Sequence, residues 1–173
     1  DRLGIDAIAI TNHNCFDKQQ YQLISAELIG VIVFPGIEIN LENGHIIIVS
    51  PLEMIEEFDG ECKIIENAFA NGVDSIDIDT FKNAFTNLSQ YLLIPHYDKE
   101  PRISETTLKN LENYIDAGEV QSPKKFERYK KDDGLSPLLF SDWRAAEVSD
   151  EGNSYQFPTR QTFLNCDEIS IPK

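Results

Sequence analysis

Cysteine is scarce in this chain and badly spaced for structural chemistry. Cys15, Cys62 and Cys166 are odd in number, far apart and form no C-x-x-C pair. That argues against a disulfide framework and against a cysteine zinc site; packing is their expected role, and a reducing cytoplasm the expected setting. Long apolar runs are also missing: none approaches the roughly 20 residues of a membrane span, and no signal-peptide pattern is present, so no membrane partner is expected. Basic residues are in deficit, 15 against 30 acidic ones, for a net charge of −15. A polyanion would be repelled on average, which argues against general wrapping of nucleic acid. There are no internal repeats, no low-complexity tracts and no G-x-x-x-x-G-K-[ST] to cradle a nucleotide.

One local exception breaks the acidic average. Lys124, Lys125, Arg128, Lys130 and Lys131 place five of the fifteen basic residues within eight positions. Such an island suits a localised phosphate contact, with Lys124, Lys125 and Arg128 as the candidate substrate-binding residues; its plain alternative is a solvated helix face.

Apolar runs alternate with helical periodicities along the 173 residues, which read as a single domain, 1–173. Strands are expected before His13, over Val31–Phe34 with a break at Pro35–Gly36, over Ile37–Ile39 and His45–Val49 around an Asn43–Gly44 turn, over Tyr91–Ile94 and over Leu138–Phe140. Gln161–Asn165 is a candidate last strand. Helices are expected after Asp17, through Ile64–Phe69 and Phe81–Leu88, from Ser104 to a stop at Gly118, and as a short basic helix from Ser122–Pro123. Asp74–Thr80 reads equally as a rim loop or a short strand. The alternation implies an α/β fold with mostly parallel strands. A barrel is favoured over an open doubly wound sheet, because polar residues recur at the ends of several strands rather than at one switch point.

Those polar residues are the candidate site. Only three histidines exist, and two of them, His13 and His96, follow apolar runs, as do Glu38 and Asp142. Parallel barrel strands end at one mouth, so such residues would converge in space. Neutral imidazole and carboxylate suit zinc, manganese or iron better than calcium. Two or three such divalent ions would polarise a phosphoryl oxygen and lower the pKa of a water between them. His45 stands at the start of its run, and a turn at Asn43–Gly44 would pair it with Glu42, making it a weaker candidate on spacing alone. Each residue taken singly is more often a rim group or cap than a ligand; it is their matching settings that point to metal.

Asp6–Asn14, Pro35–Ile39, Gly44–Ile48, Ile94–His96 and Phe140–Arg144 together resemble the motifs of the polymerase and histidinol phosphatase (PHP) domain family. The resemblance implies a distorted, TIM-like (β/α)7 barrel, incomplete at its N-terminal side. It also implies two or three metal ions at the barrel mouth and hydrolysis of phosphate mono- or diesters, nucleic-acid ends included. It restores His45 as a ligand beside His13, Glu38, His96 and Asp142. Three departures accompany it. No His–x–His pair precedes His13, Asn12 stands where the family has aspartate, and Arg144 stands where a histidine is usual. Arginine cannot ligate a metal but can clamp a phosphate, which makes Arg144 the candidate catalytic residue. Pro158–Cys166 and Gly118–Phe126 are similar to PHP domains that precede an ABC- or SMC-like ATPase, implying a piece of a longer protein with an attached C-terminal ATPase domain.

Two functions follow as expectations. One is a metal-dependent phosphoesterase acting on phosphate esters, nucleic acid or nucleotides among them. The other is a catalytically reduced PHP-like domain, with fewer metal ions, that binds or regulates for an attached ATPase.

Overall fold

A computed structural model describes residues 4–131 and 135–140. The chain is a mixed α/β structure with one six-stranded sheet and five α-helices among these residues. The strands are β1 (Ala7–His13), β2 (Ile32–Leu41), β3 (Gly44–Val49), β4 (Leu92–Asp98), β5 (Ala117–Val120) and β6 (Ser136–Leu138). Helix α1 (Lys18–Glu27) joins β1 to β2, whereas α2 (Ile55–Ala70) and α3 (Ile78–Ala84) lie between β3 and β4. Helices α4 (Glu105–Leu111) and α5 (Pro123–Tyr129) flank β5. No helix among the described residues is long and apolar enough to cross a membrane.

Helix starts follow side-chain capping. Asp17 accepts from Gln20 N at 2.9 Å, Ser104 from Thr107 N at 3.1 Å and Ser122 from Lys125 N at 3.3 Å, as the sequence led us to expect. Asp77 caps α3 in the same way, accepting from Thr80 N at 2.7 Å. Just before it, Ile76 forms a single parallel bridge to Leu41, so the ambiguous acidic stretch is neither a rim loop nor a full strand.

Strands are hydrogen-bonded in sequence order, β1 to β6. The pairs β1–β2, β4–β5 and β5–β6 are parallel, whereas β3 runs antiparallel to both of its neighbours. Two expected strand breaks do not occur. Strand β2 continues through Pro35 and Gly36, because its ladder with β3 begins only at Gly36↔Val49 and the donor that proline lacks falls just outside it. A Cβ at Gly36 would come within 2.9 Å of both Ile48 O and Thr11 Cγ2, so glycine there permits close strand packing rather than a turn. Strand β4 likewise continues through Pro95 and His96.

The turn between β2 and β3 is centred one residue earlier than Asn43–Gly44. Leu41 pairs with Gly44, and the two turn residues Glu42 and Asn43 have φ of 51° and 66°. This is the doubly left-handed backbone of a two-residue hairpin. Gly118, expected to stop a helix, lies inside β5. The Gln161–Asn165 strand falls outside the described residues.

The sheet's two faces differ. One carries Ile37, Ile39, Leu41, Ile46, Ile48 and Leu93, packed on Phe58, Cys62 and Ile65 of α2, Phe81 and Ala84 of α3, and Leu111 of α4. The other is an apolar cluster of Phe34, Ile47, Val49, Ile94, Ala117 and Leu138, to which no helix among the described residues contributes. Strand β3 is therefore apolar on both sides, which explains its unbroken Ile-Ile-Ile-Val run.

Candidate metal centre at the strand ends

Side chains alternate along a strand, so Glu38 shares a face with Phe34, His45 with Ile47, His96 with Ile94, and Glu119 with Ala117. By the same period His13 shares a face with Ala7, which packs against that cluster. The candidate residues thus form a polar rim on the sheet face that carries the second apolar cluster. Strand register then lines them up. His13 is opposite Glu38 across β1–β2, and His96 is opposite Glu119 across β4–β5. His45 pairs with Asn40, which puts it diagonally across from Glu38 on the same face.

The antiparallel direction of β3 explains His45. The start of an antiparallel strand lies at the same sheet edge as the ends of its neighbours, so the first residues of β3 meet the last residues of β2 and β4. Pairing with Glu42, as expected from an Asn43–Gly44 turn, does not occur. The centroids of the His13 and His45 rings are 4.9 Å apart, and those of His45 and His96 are also 4.9 Å apart.

Ligand atoms of His13, Glu38 and His45 all lie within 4.8 Å of one another. His45 Nδ1 is 2.7 Å from Glu38 Oε1; as donor to that carboxylate it leaves Nε2 with the lone pair that binds metal. His13 is the exposed member. Asn14 takes Asn40 N on its Oδ1 at 2.8 Å and offers Nδ2 to His13 Nδ1 at 3.1 Å, so ligation by Nδ1 requires giving up that contact.

The deeper half of the row is nearly sealed, His96 and Glu119 each being 1% exposed. His96 Nε2 lies 3.4 Å from Glu38 Oε1 and 3.2 Å from Glu119 Oε2. Neither approach has hydrogen-bond geometry: both His96 nitrogens and Glu119 Oε2 are buried with no hydrogen-bond partner among the described residues. Buried polar atoms are ordinarily paired, so this set fits a cation and the water around it. Lys99 Nζ closes the row, 2.8 Å from Glu119 Oε1.

Electrostatics agree with an ionised centre. Burial alone would push the Glu38 carboxyl up, but the hydrogen bond with His45 and the electrostatic influence of His96, Lys99 and His45 outweigh it and hold the group below its ordinary value.

Glu119 is the site residue that the sequence did not reveal. It stands on a four-residue strand, too short for any periodicity, behind a glycine that imitates a helix stop. Asp142 and Arg144 lie outside the described residues. Asn12 faces away from the row and donates to Gln20 Oε1 at 2.7 Å. Among the basic residues, Lys125 is drawn inward, its Nζ 2.7 Å from Asp98 Oδ1, while Lys124 and Arg128 are exposed on α5. Asp98 also accepts from Tyr129 Oη at 3.1 Å, so α5 is fastened to the end of β4, two residues beyond His96. Compared with protein-family models, curated proteins and solved structures, the chain shows no significant match.

Proposed function

We propose that the chain is a metal-dependent phosphoesterase whose sheet belongs to a PHP-like barrel and whose row of His13, Glu38, His45, His96 and Glu119 holds divalent cations. The single observation that carries this reading is the buried His96 between two carboxylates, with ring nitrogens that no described residue satisfies. The second apolar cluster supports the barrel, since its described members come from strands and the segments beside them and a barrel interior is lined by strand side chains.

Divalent cations bound there supply Lewis acidity toward a phosphoryl oxygen and a water made acidic enough to act near neutral pH. The residues divide the remaining work. Glu38 orients His45 through the Nδ1 contact and keeps the row anionic. His96 and Glu119 form a floor closed to bulk water. The exposed end at His13 leaves an approach for a substrate, and α5, fastened to the end of β4 at the other side of the row, carries Lys124 and Arg128 as candidate secondary phosphate contacts.

Asn12 turned toward Gln20 and Asn14 on His13 favour a second reading, in which the domain binds metal weakly and regulates a covalently attached partner. Hydrolysis of a chromogenic phosphate monoester and of a short oligonucleotide, with and without Mn²⁺ or Zn²⁺, separates the two. The phosphoesterase requires metal-dependent turnover that His45→Ala abolishes; turnover independent of metal, or none in the full-length protein, rejects it.

A further inference from the structure

We propose that Lys99 is the phosphate-binding cation of this site and that Glu119 is the residue that positions it, the ligand being a phosphoryl anion seated beside the His/Glu row. The inference rests on the phosphoesterase reading and deepens it. Lys99 directly follows β4, three residues after His96. Its side chain is 17% exposed and its Nζ is 2.8 Å from Glu119 Oε1, so the ammonium is neither loose in solvent nor sealed away.

Glu119 makes contacts with both oxygens. Oε1 meets Lys99, and Oε2 lies 3.2 Å from His96 Nε2. One buried carboxylate thereby ties a cation at the rim to an imidazole at the floor.

Charge favours such a group. A net charge of −15 opposes the approach of a phosphate dianion to the metal-loaded row, and an ammonium at the rim counters that repulsion locally. A lysine ammonium is a compact point charge that meets phosphate well, and bracing by a buried partner removes much of the freedom it would lose on binding. The ammonium of Lys125, by contrast, is engaged by Asp98 at 2.7 Å.

The test is calorimetric titration of inorganic phosphate into the full-length, Mn²⁺-loaded protein, with metal content measured for each variant. Lys99→Met weakens phosphate binding by about tenfold or more at unchanged metal content, and Lys99→Arg recovers most of the loss. Compared at Mn²⁺ concentrations that give every variant the metal content of the parent, Glu119→Gln weakens it less, and the Lys99→Met/Glu119→Gln pair binds no worse than Lys99→Met alone, because the part of Glu119 in phosphate binding runs through Lys99. Should methionine at position 99 lower the metal content, Lys99→Gln is read in its place. Phosphate affinity within about twofold of the parent in a metal-replete Lys99 variant overturns the inference alone. Additive losses in the double variant overturn the positioning role of Glu119. A parent protein that takes up neither Mn²⁺ nor phosphate overturns the inference and the phosphoesterase reading together.

Discussion

Glu38 and His45 meet across an antiparallel ladder at a diagonal, Oε1 to Nδ1 at 2.7 Å, although seven positions separate them in the chain. A carboxylate in that relation fixes the tautomer and the orientation of a metal-binding imidazole. Glu38→Gln keeps the shape and removes the charge. Its expected effect is a loss of about 10- to 100-fold in Zn²⁺ or Mn²⁺ affinity, read by competition with a chromophoric chelator. Unchanged affinity would remove Glu38 from the centre.

Metal binding to a preformed row must also appear as stability. A cation present at about 100 times its dissociation constant adds about 2.7 kcal/mol to the folded state, visible as a raised thermal midpoint. The parent should show that rise on adding Mn²⁺ and lose it with EDTA. His45→Ala, which deletes a half-buried ring rather than a core side chain, should fold but respond far less. An equal rise in that variant would mean that the ions bind elsewhere.

The site was legible wherever an apolar run simply ended in a polar residue, as at His13 and His96. It was illegible where direction or brevity mattered. Nothing in Gly44–Val49 tells that β3 runs against its neighbours, so spacing alone does not place His45 at the edge that the start of that strand shares with the ends of β2 and β4. Gly118 was read as a helix stop because glycine does serve there. Its reason here is contact, since a Cβ would come within 2.6 Å of Tyr97 Cβ on the adjoining strand. That misreading hid β5, and with it Glu119. Proline misled in the same way: Pro35 and Pro95 each sit inside a strand whose pairing elsewhere is sufficient to carry it. Caps, by contrast, are local chemistry, and Asp17, Ser104 and Ser122 could be read directly.

The β2–β3 turn should control the candidate metal centre without touching it. Asn43 has a φ of 66°, a backbone that asparagine and glycine tolerate and a β-branched residue does not. Asn43→Val is expected to cost about 1–2 kcal/mol in chemical denaturation. It should also weaken metal binding, by loosening the register that brings His45 to Glu38. Asn43→Gly should preserve both properties. Full metal affinity in a destabilised Asn43→Val protein would show that the turn does not set the position of His45.

Far from the row, Tyr91 and Glu61 make a pH-dependent contribution whose sign follows from burial. Tyr91, 3% exposed, donates its hydroxyl to Glu61 Oε2 at 2.5 Å. Burial pushes the Glu61 carboxyl above its ordinary value; the Tyr91 hydrogen bond opposes that rise, and the neighbouring charge of Glu57 adds to it. A carboxyl with a raised folded-state pKa gives stability that is fully present below its unfolded value and is lost as pH rises through the folded one. Removing the hydroxyl raises the folded value further and leaves the ionised form without its donor. Tyr91→Phe is therefore expected to cost about 1–3 kcal/mol at pH 7 and distinctly less near pH 4, where Glu61 is protonated and needs no donor. Urea denaturation at the two pH values checks it, and an equal penalty at both would show that the hydroxyl acts independently of Glu61 ionisation, through its contact with Gln90 Nε2 at 3.1 Å.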